Sequence, residues 1–191
     1  MKTLFYDLET TGVKPWKNSI HQIAAIMVVD GEEVDRFNIK LQPNPIAEVD
    51  EKALEVGHVT KEILSTYQSF KMGYLDFCSR VTPRVDKFDK TDKIQLCGFN
   101  NRGFDDQFLR GLFEQNGDKY FGSIFWSDSS DVMVLASECL KPVRHKMENF
   151  QLKTVAKTLG IEVVESELHD ALYDVELTIK IYQELRKTYF K

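Results

Sequence analysis

Five residues whose side chains can carry acid–base or metal chemistry lie in three separated blocks of the chain. The blocks are Asp7-Leu8-Glu9-Thr10-Thr11-Gly12, Phe104-Asp105-Asp106-Gln107-Phe108-Leu109 and His169-Asp170-Ala171-Leu172-Tyr173-Asp174. Carboxylates that meet at one point repel one another unless cations accompany them. Hard oxygen ligands with open positions suit Mg²⁺ or Mn²⁺, and two such ions about 3.5–4 Å apart are the usual arrangement for phosphodiester hydrolysis. The sequence therefore predicts a two-metal site.

The first block places two carboxylates on one side of a strand. Asp7 and Glu9 are two residues apart, so both side chains point to the same face of a sheet. The opposite face is taken by Leu4, Tyr6 and Leu8. A tight turn over residues 10–12 follows, and its N–H groups and hydroxyls could hold a sugar or a phosphate. A solvated polar strand end is the alternative interpretation of this block by itself.

The second block opens a predicted helix directly after a buried strand, where ligand sites gather in α/β sheets. Either Asp105 or Asp106 could be the ligand, and helical geometry does not decide between them. Acidic residues in a first turn also complement the helix dipole. We accept that interpretation for Asp106, which can also pair with Arg110 four residues on.

The third block brings its two functional residues together only if a helix begins inside it. His169 and Asp174 are five residues apart, which on a continuous helix would separate them by about 140°. They converge if His169 lies in the preceding loop, Asp170 is the N-cap and Asp174 lies one turn inside. A loop imidazole titrates near neutrality and suits a general base. A helix start with a surface histidine is the alternative.

The remaining pattern supplies the elements that must position these blocks. Strands are predicted over Thr3–Leu8, Ile20–Val29, Val34–Leu41, Ile94–Phe99 and Ile124–Trp126. Helices are predicted over Lys61–Tyr67 with Thr60 as cap, Phe70–Val81, Phe104–Gln115, Val132–Leu140 with Asp131 as cap, Leu152–Leu159 and Ala171–Lys187. An antiparallel meander followed by alternating helices and strands predicts an α/β fold, with a mixed central sheet flanked by helices.

Composition limits the setting in which this chemistry takes place. The chain has 191 residues, enough for one domain, and a net charge of −5. That charge argues against non-specific electrostatic binding along a long duplex. Cations bound at an acidic site nevertheless reverse the local charge of that site. Cys78, Cys97 and Cys139 are predicted to be buried free thiols in a reducing compartment, the cytoplasm. No apolar run approaches the roughly 18 residues that span a bilayer, so no membrane contact is expected.

Two smaller features near these blocks have a functional and a plainer interpretation. The cluster Lys141, Arg144, His145 and Lys146 could meet a phosphate backbone, although a solvated loop is the favoured interpretation. Trp16 and His21 could touch a base, and core packing is favoured for Trp16.

The three blocks resemble the motifs of the DEDDh 3′–5′ exonucleases, which have an RNase H-like fold. The family patterns D-x-E-T-T-G, F-D-x-x-F-L and H-D-A-x-x-D match at Asp7–Gly12, Phe104–Leu109 and His169–Asp174. The resemblance runs nearly end to end, implies a single exonuclease domain over residues 1–191, and selects Asp105 over Asp106. It implies that Asp7, Glu9, Asp105, His169 and Asp174 are catalytic, and that the four carboxylates hold two Mg²⁺ or Mn²⁺ ions. It implies substrate contacts by Leu8, Thr10, Thr11, Gly12, Asn101 and Phe104.

Further segments narrow the substrate that the resemblance implies. The segment Ala53–Thr60 resembles a degenerate H-G-I-T motif. Gly57-His58 has the reverse order of the H-G pair in that motif, which favours a helix-entry loop over a role for His58.

The stretch Phe99–Asp106 is similar to the corresponding stretch of bacterial exonuclease I, which degrades single-stranded DNA. The resemblance thus implies attack on a DNA 3′ end, single-stranded by preference, with release of nucleoside 5′-monophosphates. An RNA substrate with the same chemistry, and a non-catalytic nuclease-like subunit, are the alternatives.

Overall fold

A five-stranded sheet forms the centre of the protein. The computed structural model describes residues 1–168 and 170–189; His169, Phe190 and Lys191 lie outside the described residues. The strands are β1 (Lys2–Thr10), β2 (Ile20–Val29), β3 (Glu32–Lys40), β4 (Ile94–Gly98) and β5 (Ser130–Asp131). The helices are α1 (Glu51–Val56), α2 (Lys61–Ser65), α3 (Phe70–Val81), α4 (Asp105–Gln115), α5 (Phe121–Ile124), α6 (Val132–Cys139), α7 (Leu152–Thr158) and α8 (Ala171–Tyr189).

The sheet is mixed, as the sequence predicts. Its order is β3-β2-β1-β4-β5. The first three strands pair antiparallel, whereas β4 runs parallel to both β1 and β5. Strand β1 therefore lies at the centre of the sheet. Strand β4 pairs only with its residues Lys2–Phe5, so the C-terminal end of β1 extends past β4 and is open to the start of α4.

Helices cover both faces of the sheet and follow the alternation of side chains along β1. Leu4, Tyr6 and Leu8 pack in one core with Phe77 of α3 and Phe113 of α4. The intervening residues face the other core, which Phe5 shares with residues of α6, α7 and α8. The predicted division of β1 into two faces is thus confirmed, and Asp7 and Glu9 fall on the face that α8 covers.

Most elements agree with the sequence-based expectation, and the exceptions are short. Strand β2 and helix α3 have the predicted bounds. The strand predicted over Ile124–Trp126 is wrong: Ile124 is the last residue of the short helix α5, and Phe125 forms an isolated bridge to Ile94. The fifth strand is instead β5, two residues long. The six-residue helix α1 was not predicted, because one turn capped by Asp50 carries no measurable apolar periodicity.

The loop between β1 and β2 corrects the prediction for Trp16. Its side chain is 75% exposed, so the expectation of core packing is wrong. The loop is held without it, because the Asn18 amide donates to the Thr11 and Glu48 carbonyl oxygens at 3.3 and 2.9 Å. The imidazole of His21, by contrast, is buried.

Other compositional predictions concern thiols and exposed cations. Cys97 is buried and the other two cysteines are partly buried, and all three are free thiols.

The basic cluster forms an exposed 3₁₀ turn over Lys141–Lys146, and the guanidinium of Arg144 stacks on the ring of Phe150 at 4.5 Å. Among residues 1–168 and 170–189, no helix has the length and apolar character needed to cross a bilayer.

Candidate active site

The C-terminal half of β1 carries the first two acidic side chains. Asp7 pairs with Ala24 of β2, and Glu9 pairs with Gln22. Both carboxylates therefore extend over the sheet face that packs against α8, and both are partly buried. This places Asp174, in the first turn of α8, on the same side of the sheet as Asp7 and Glu9.

Asp105 is brought to β1 by the loop between β4 and α4. It is the first residue of α4, and its Oδ1 accepts a hydrogen bond from the Leu8 N–H at 3.2 Å. The loop that precedes it is anchored by Asp131, whose carboxylate accepts from the N–H groups of Asn100 and Arg102 at 3.0 and 3.4 Å. Asp131 also caps α6 as predicted, by accepting from the Met133 N–H at 2.9 Å.

The neighbouring Asp106 does not pair with Arg110 as expected. Its carboxylate accepts hydrogen bonds from the hydroxyls of Tyr6 and Ser129 and from the Asn101 amide. The Arg110 guanidinium instead lies over the Phe121 ring at 4.4 Å. Asp106 thus ties α4 to the face of β1 opposite Asp7 and Glu9, because Tyr6 projects there.

Two predicted substrate contacts, Asn101 and Phe104, lie next to this junction. Asn101 is fully buried, and its side-chain amide donates to Asp106 at 3.2 Å. This hydrogen bond holds the loop between β4 and α4 against the first turn of α4. Phe104 precedes the first residue of α4 and packs against Phe108, with ring centroids 5.0 Å apart.

The third block begins α8 in the manner predicted for Asp170. Its Oδ1 accepts from the Leu172 and Tyr173 N–H groups at 3.0 and 3.1 Å, as an N-cap does. Asp174 then lies one turn inside the helix, where its N–H donates to the Asp170 carbonyl oxygen. His169 lies outside the described residues, so its predicted position beside the carboxylates remains a prediction.

Burial and the neighbouring carboxylates raise the pKa of Asp7, Glu9 and Asp105. Burial is the main cause that raises the pKa of Asp7 well above its usual value, and the charges of Asp105, Glu9 and Asp174 raise it further. Burial, followed by the charges of Asp174 and Asp170, raises the pKa of Glu9 to about 7. Burial also raises the pKa of Asp105 to about 8, although the hydrogen bond from Leu8 opposes the shift. The cluster therefore resists full ionisation.

The residues fit a hard divalent cation by their chemistry, since every donor is a carboxylate oxygen. Within the described ranges, no group of three or more Asp, Glu, His or Cys side chains is already drawn together in a metal-holding arrangement. The charges of the other three carboxylates nevertheless raise the pKa of Asp7, so the four belong to one electrostatic site. Binding an ion would have to draw them closer together.

The turn after Glu9 uses its hydroxyls internally. The Thr10 hydroxyl donates to the Gly12 carbonyl oxygen at 2.8 Å, and the Thr11 hydroxyl donates to the Glu48 carbonyl oxygen at 2.9 Å. Gly12 has φ 155°, and a Cβ there would lie 2.5 Å from the Asn18 side chain. The predicted role for the two hydroxyls must therefore compete with these hydrogen bonds, while the turn itself is held in a fixed shape.

Gly57 and His21 lie next to Glu9, and the sequence pattern indicated neither of them clearly. Gly57 ends α1, and a Cβ at this position would lie 3.6 Å from the Glu9 Oε2 and 3.9 Å from the His21 Cε1. The segment that resembles a degenerate H-G-I-T motif thus passes directly over Glu9. The neighbouring His58 is exposed and has φ 52°. Only the family resemblance could have indicated Gly57.

The raised pKa values predict that the metal-free protein loses stability as the pH rises. A carboxyl whose folded-state pKa lies above its unfolded value favours folding below the unfolded pKa, about 4, and loses that contribution as the pH passes through the folded value. For Glu9, with a folded pKa of about 7, the loss falls between pH 4.5 and 7. We expect Glu9→Gln in EDTA to match the wild-type melting temperature near pH 4.5 and exceed it above pH 7. Parallel thermal-unfolding curves against pH would contradict the assignment.

Comparison with known proteins identifies the class to which this fold and site belong. The exonuclease family model RNase_T matches residues 4–182, and the chain belongs to this family. The family lies within the RNase H-like DEDD group, and its members depend on divalent metal ions.

Individual relatives agree with this family. The chain is 27% identical over 176 residues to the PolC-type DNA polymerase III of Thermotoga petrophila and 26% identical over 186 residues to that of Staphylococcus haemolyticus. These matches cover 92% and 95% of the chain and 11% of each polymerase. Among solved structures, E. coli exonuclease I in complex with a dT13 oligonucleotide matches with a TM-score of 0.76 and 25% identity. That match covers 98% of this chain and 41% of exonuclease I.

Proposed function

We propose that the protein is a metal-dependent 3′–5′ exonuclease of the DEDDh type that releases nucleoside 5′-monophosphates from the 3′ end of DNA, preferably single-stranded. The observation that carries the proposal is that carboxylates from β1, α4 and α8 act on one point, since the charges of Glu9, Asp105 and Asp174 all raise the pKa of the buried Asp7. The similarity to exonuclease I in complex with an oligonucleotide supports a single-stranded DNA substrate.

Each residue has a separate task in this proposal. Asp7, Glu9, Asp105 and Asp174 would hold two Mg²⁺ or Mn²⁺ ions, which supply a Lewis acid for the scissile phosphate and stabilise charge on the leaving oxygen. His169 takes a proton from the attacking water. The hydrogen bond from Leu8 to Asp105 orients that carboxylate, and the fixed turn at Thr10–Gly12 positions the terminal sugar next to it.

A degradation assay with labelled single-stranded DNA, blunt duplex DNA and RNA, each with Mg²⁺ and with EDTA, tests the substrate. We expect single-stranded DNA to be cut faster than duplex ends, because opening a duplex costs on the order of 1.4 kcal/mol per base-pair step and an acidic chain has little electrostatic means to offset that cost. Activity should disappear in EDTA. Equal rates on single strands and duplexes would contradict the preference, and a clear excess of RNA cleavage would reassign the substrate.

The direction of attack is a separate prediction. If the fixed turn after Glu9 holds the terminal sugar, a free 3′ end is required, and a linear single strand should be degraded while a circle of the same sequence remains intact. A 3′-phosphorylated strand with an unmodified 5′ end serves as the matched control and should also be protected. Cleavage of the circle at the rate of the linear strand would show an endonuclease.

A non-catalytic nuclease-like subunit is the second class of function. It predicts binding of single-stranded DNA without turnover in Mg²⁺ or Mn²⁺. The presence of all five acid–base residues, Asp7, Glu9, Asp105, His169 and Asp174, favours turnover, and the EDTA-sensitive assay decides between the two.

A further inference from the structure

His21 occupies an irregular position in the sheet beside the carboxylates. The register between β1 and β2 passes from Glu9 opposite Gln22 to Thr10 opposite Ile20, so His21 is the extra residue of a β-bulge. A bulge re-aims the side chain of the residue it inserts, and bulges are frequent next to active sites. The redirected side chain is only 1% exposed.

The imidazole is buried without satisfied hydrogen bonds. Neither Nδ1 nor Nε2 of His21 has a hydrogen-bond partner among residues 1–168 and 170–189. Buried polar side-chain atoms nearly always have a partner, so an exception in a folded protein calls for an explanation, such as a functional role or a bound water or ion. An apolar residue would fill this place in the core without leaving two nitrogen atoms unsatisfied.

The side chain of Glu9 and the imidazole of His21 both lie next to Gly57. The position of a Cβ on Gly57 lies 3.6 Å from the Glu9 Oε2 and 3.9 Å from the His21 Cε1, so these two atoms are no more than about 7.5 Å apart. This upper limit is compatible with a hydrogen bond between the two side chains, either direct or through one water molecule. Glu9 has no hydrogen-bonded partner within the described ranges that would compete for this role.

We propose that His21 is a positioning residue for Glu9, whose ring N–H donates a hydrogen bond to the Glu9 carboxylate, directly or through one water, and holds it toward a divalent cation. The inference rests on the proposed function, because it assigns Glu9 to metal binding. Groups that orient a metal-binding side chain are worth about 10–100-fold in metal affinity. An imidazole that only fills the core would contribute nothing to metal affinity.

Binding of Mn²⁺ to the full chain without nucleic acid, measured by titration calorimetry, tests the proposal independently of turnover. We expect His21→Leu, which removes both nitrogens, to weaken Mn²⁺ binding by about 10–100-fold while its melting temperature in EDTA stays equal or rises. His21→Gln keeps a donor near the position of Nε2 and should recover most of the affinity. His58→Asn, which removes an exposed imidazole beside Gly57 and tolerates φ > 0, is the matched control and should bind as the wild type does.

Each outcome of this titration is decisive. Wild-type Mn²⁺ affinity in a folded His21→Leu protein overturns the positioning role and leaves the proposed function intact. If His21→Leu does not fold, His21→Gln and His21→Met are compared, and equal affinities overturn the role. If the wild-type protein neither binds Mn²⁺ nor cuts DNA, the proposed function fails and the role of His21 fails with it.

Discussion

Asp7→Ala is expected to lose at least about 10³-fold in the rate of DNA hydrolysis while the protein folds as well as the wild type or better. The loss follows because Asp7 lies at the centre of the carboxylate site, and an electrophilic metal contributes several kcal/mol to such a reaction, at about 1.4 kcal/mol per tenfold. The gain in stability follows because burial and three neighbouring carboxylates oppose the ionised form of Asp7. Single-turnover rates on labelled single-stranded DNA and melting temperatures in EDTA measure the two effects.

The matched control is Asp106→Ala, which should behave in the opposite way. Asp106 accepts hydrogen bonds from Tyr6, Ser129 and Asn101, so its removal leaves buried donors unsatisfied and should cost about 2–3 kcal/mol of stability. Its rate per folded molecule should stay far above that of Asp7→Ala. Substantial turnover by Asp7→Ala would show that the metal assignment is wrong.

His169→Asn is expected to reduce turnover by about 10²–10⁴-fold, the usual contribution of a positioned acid–base group. The wild-type rate should rise with pH through the range in which an imidazole loses its proton, because the neutral form accepts the proton of the attacking water. The variant should lack that rise. Affinities for Mn²⁺ and for single-stranded DNA should change little, since His169 carries neither role in the proposal.

Calorimetry and a pH–rate profile under single-turnover conditions separate these contributions. The conservative control is His145→Asn, in the exposed 3₁₀ turn over Lys141–Lys146, which should keep both the rate and the profile. A His169→Asn protein with the wild-type rate and profile would return His169 to the surface-histidine interpretation and leave the base unidentified.

The sequence by itself determined the elements that carry the chemistry. The alternation along β1 set Asp7 and Glu9 apart from Leu4, Tyr6 and Leu8, because side-chain direction in a strand depends only on position. The N-cap at Asp170 was equally predictable, because a short acidic side chain before a helix satisfies N–H groups only a few residues away. The mixed sheet followed from the order of the elements.

Only the tertiary structure decided what depends on neighbours distant in the sequence. Helical geometry left Asp105 and Asp106 equivalent, and only the family resemblance chose between them. The contacts supply the physical reason, because Asp105 accepts from the backbone of Leu8, whereas Asp106 accepts from Tyr6. The brief strand β5 exists only because β4 pairs with it. Trp16, for which core packing was expected, is exposed, whereas His21 is buried at a β-bulge. The environment of each of these side chains depends on groups distant in the sequence, and the local sequence does not show which groups those are.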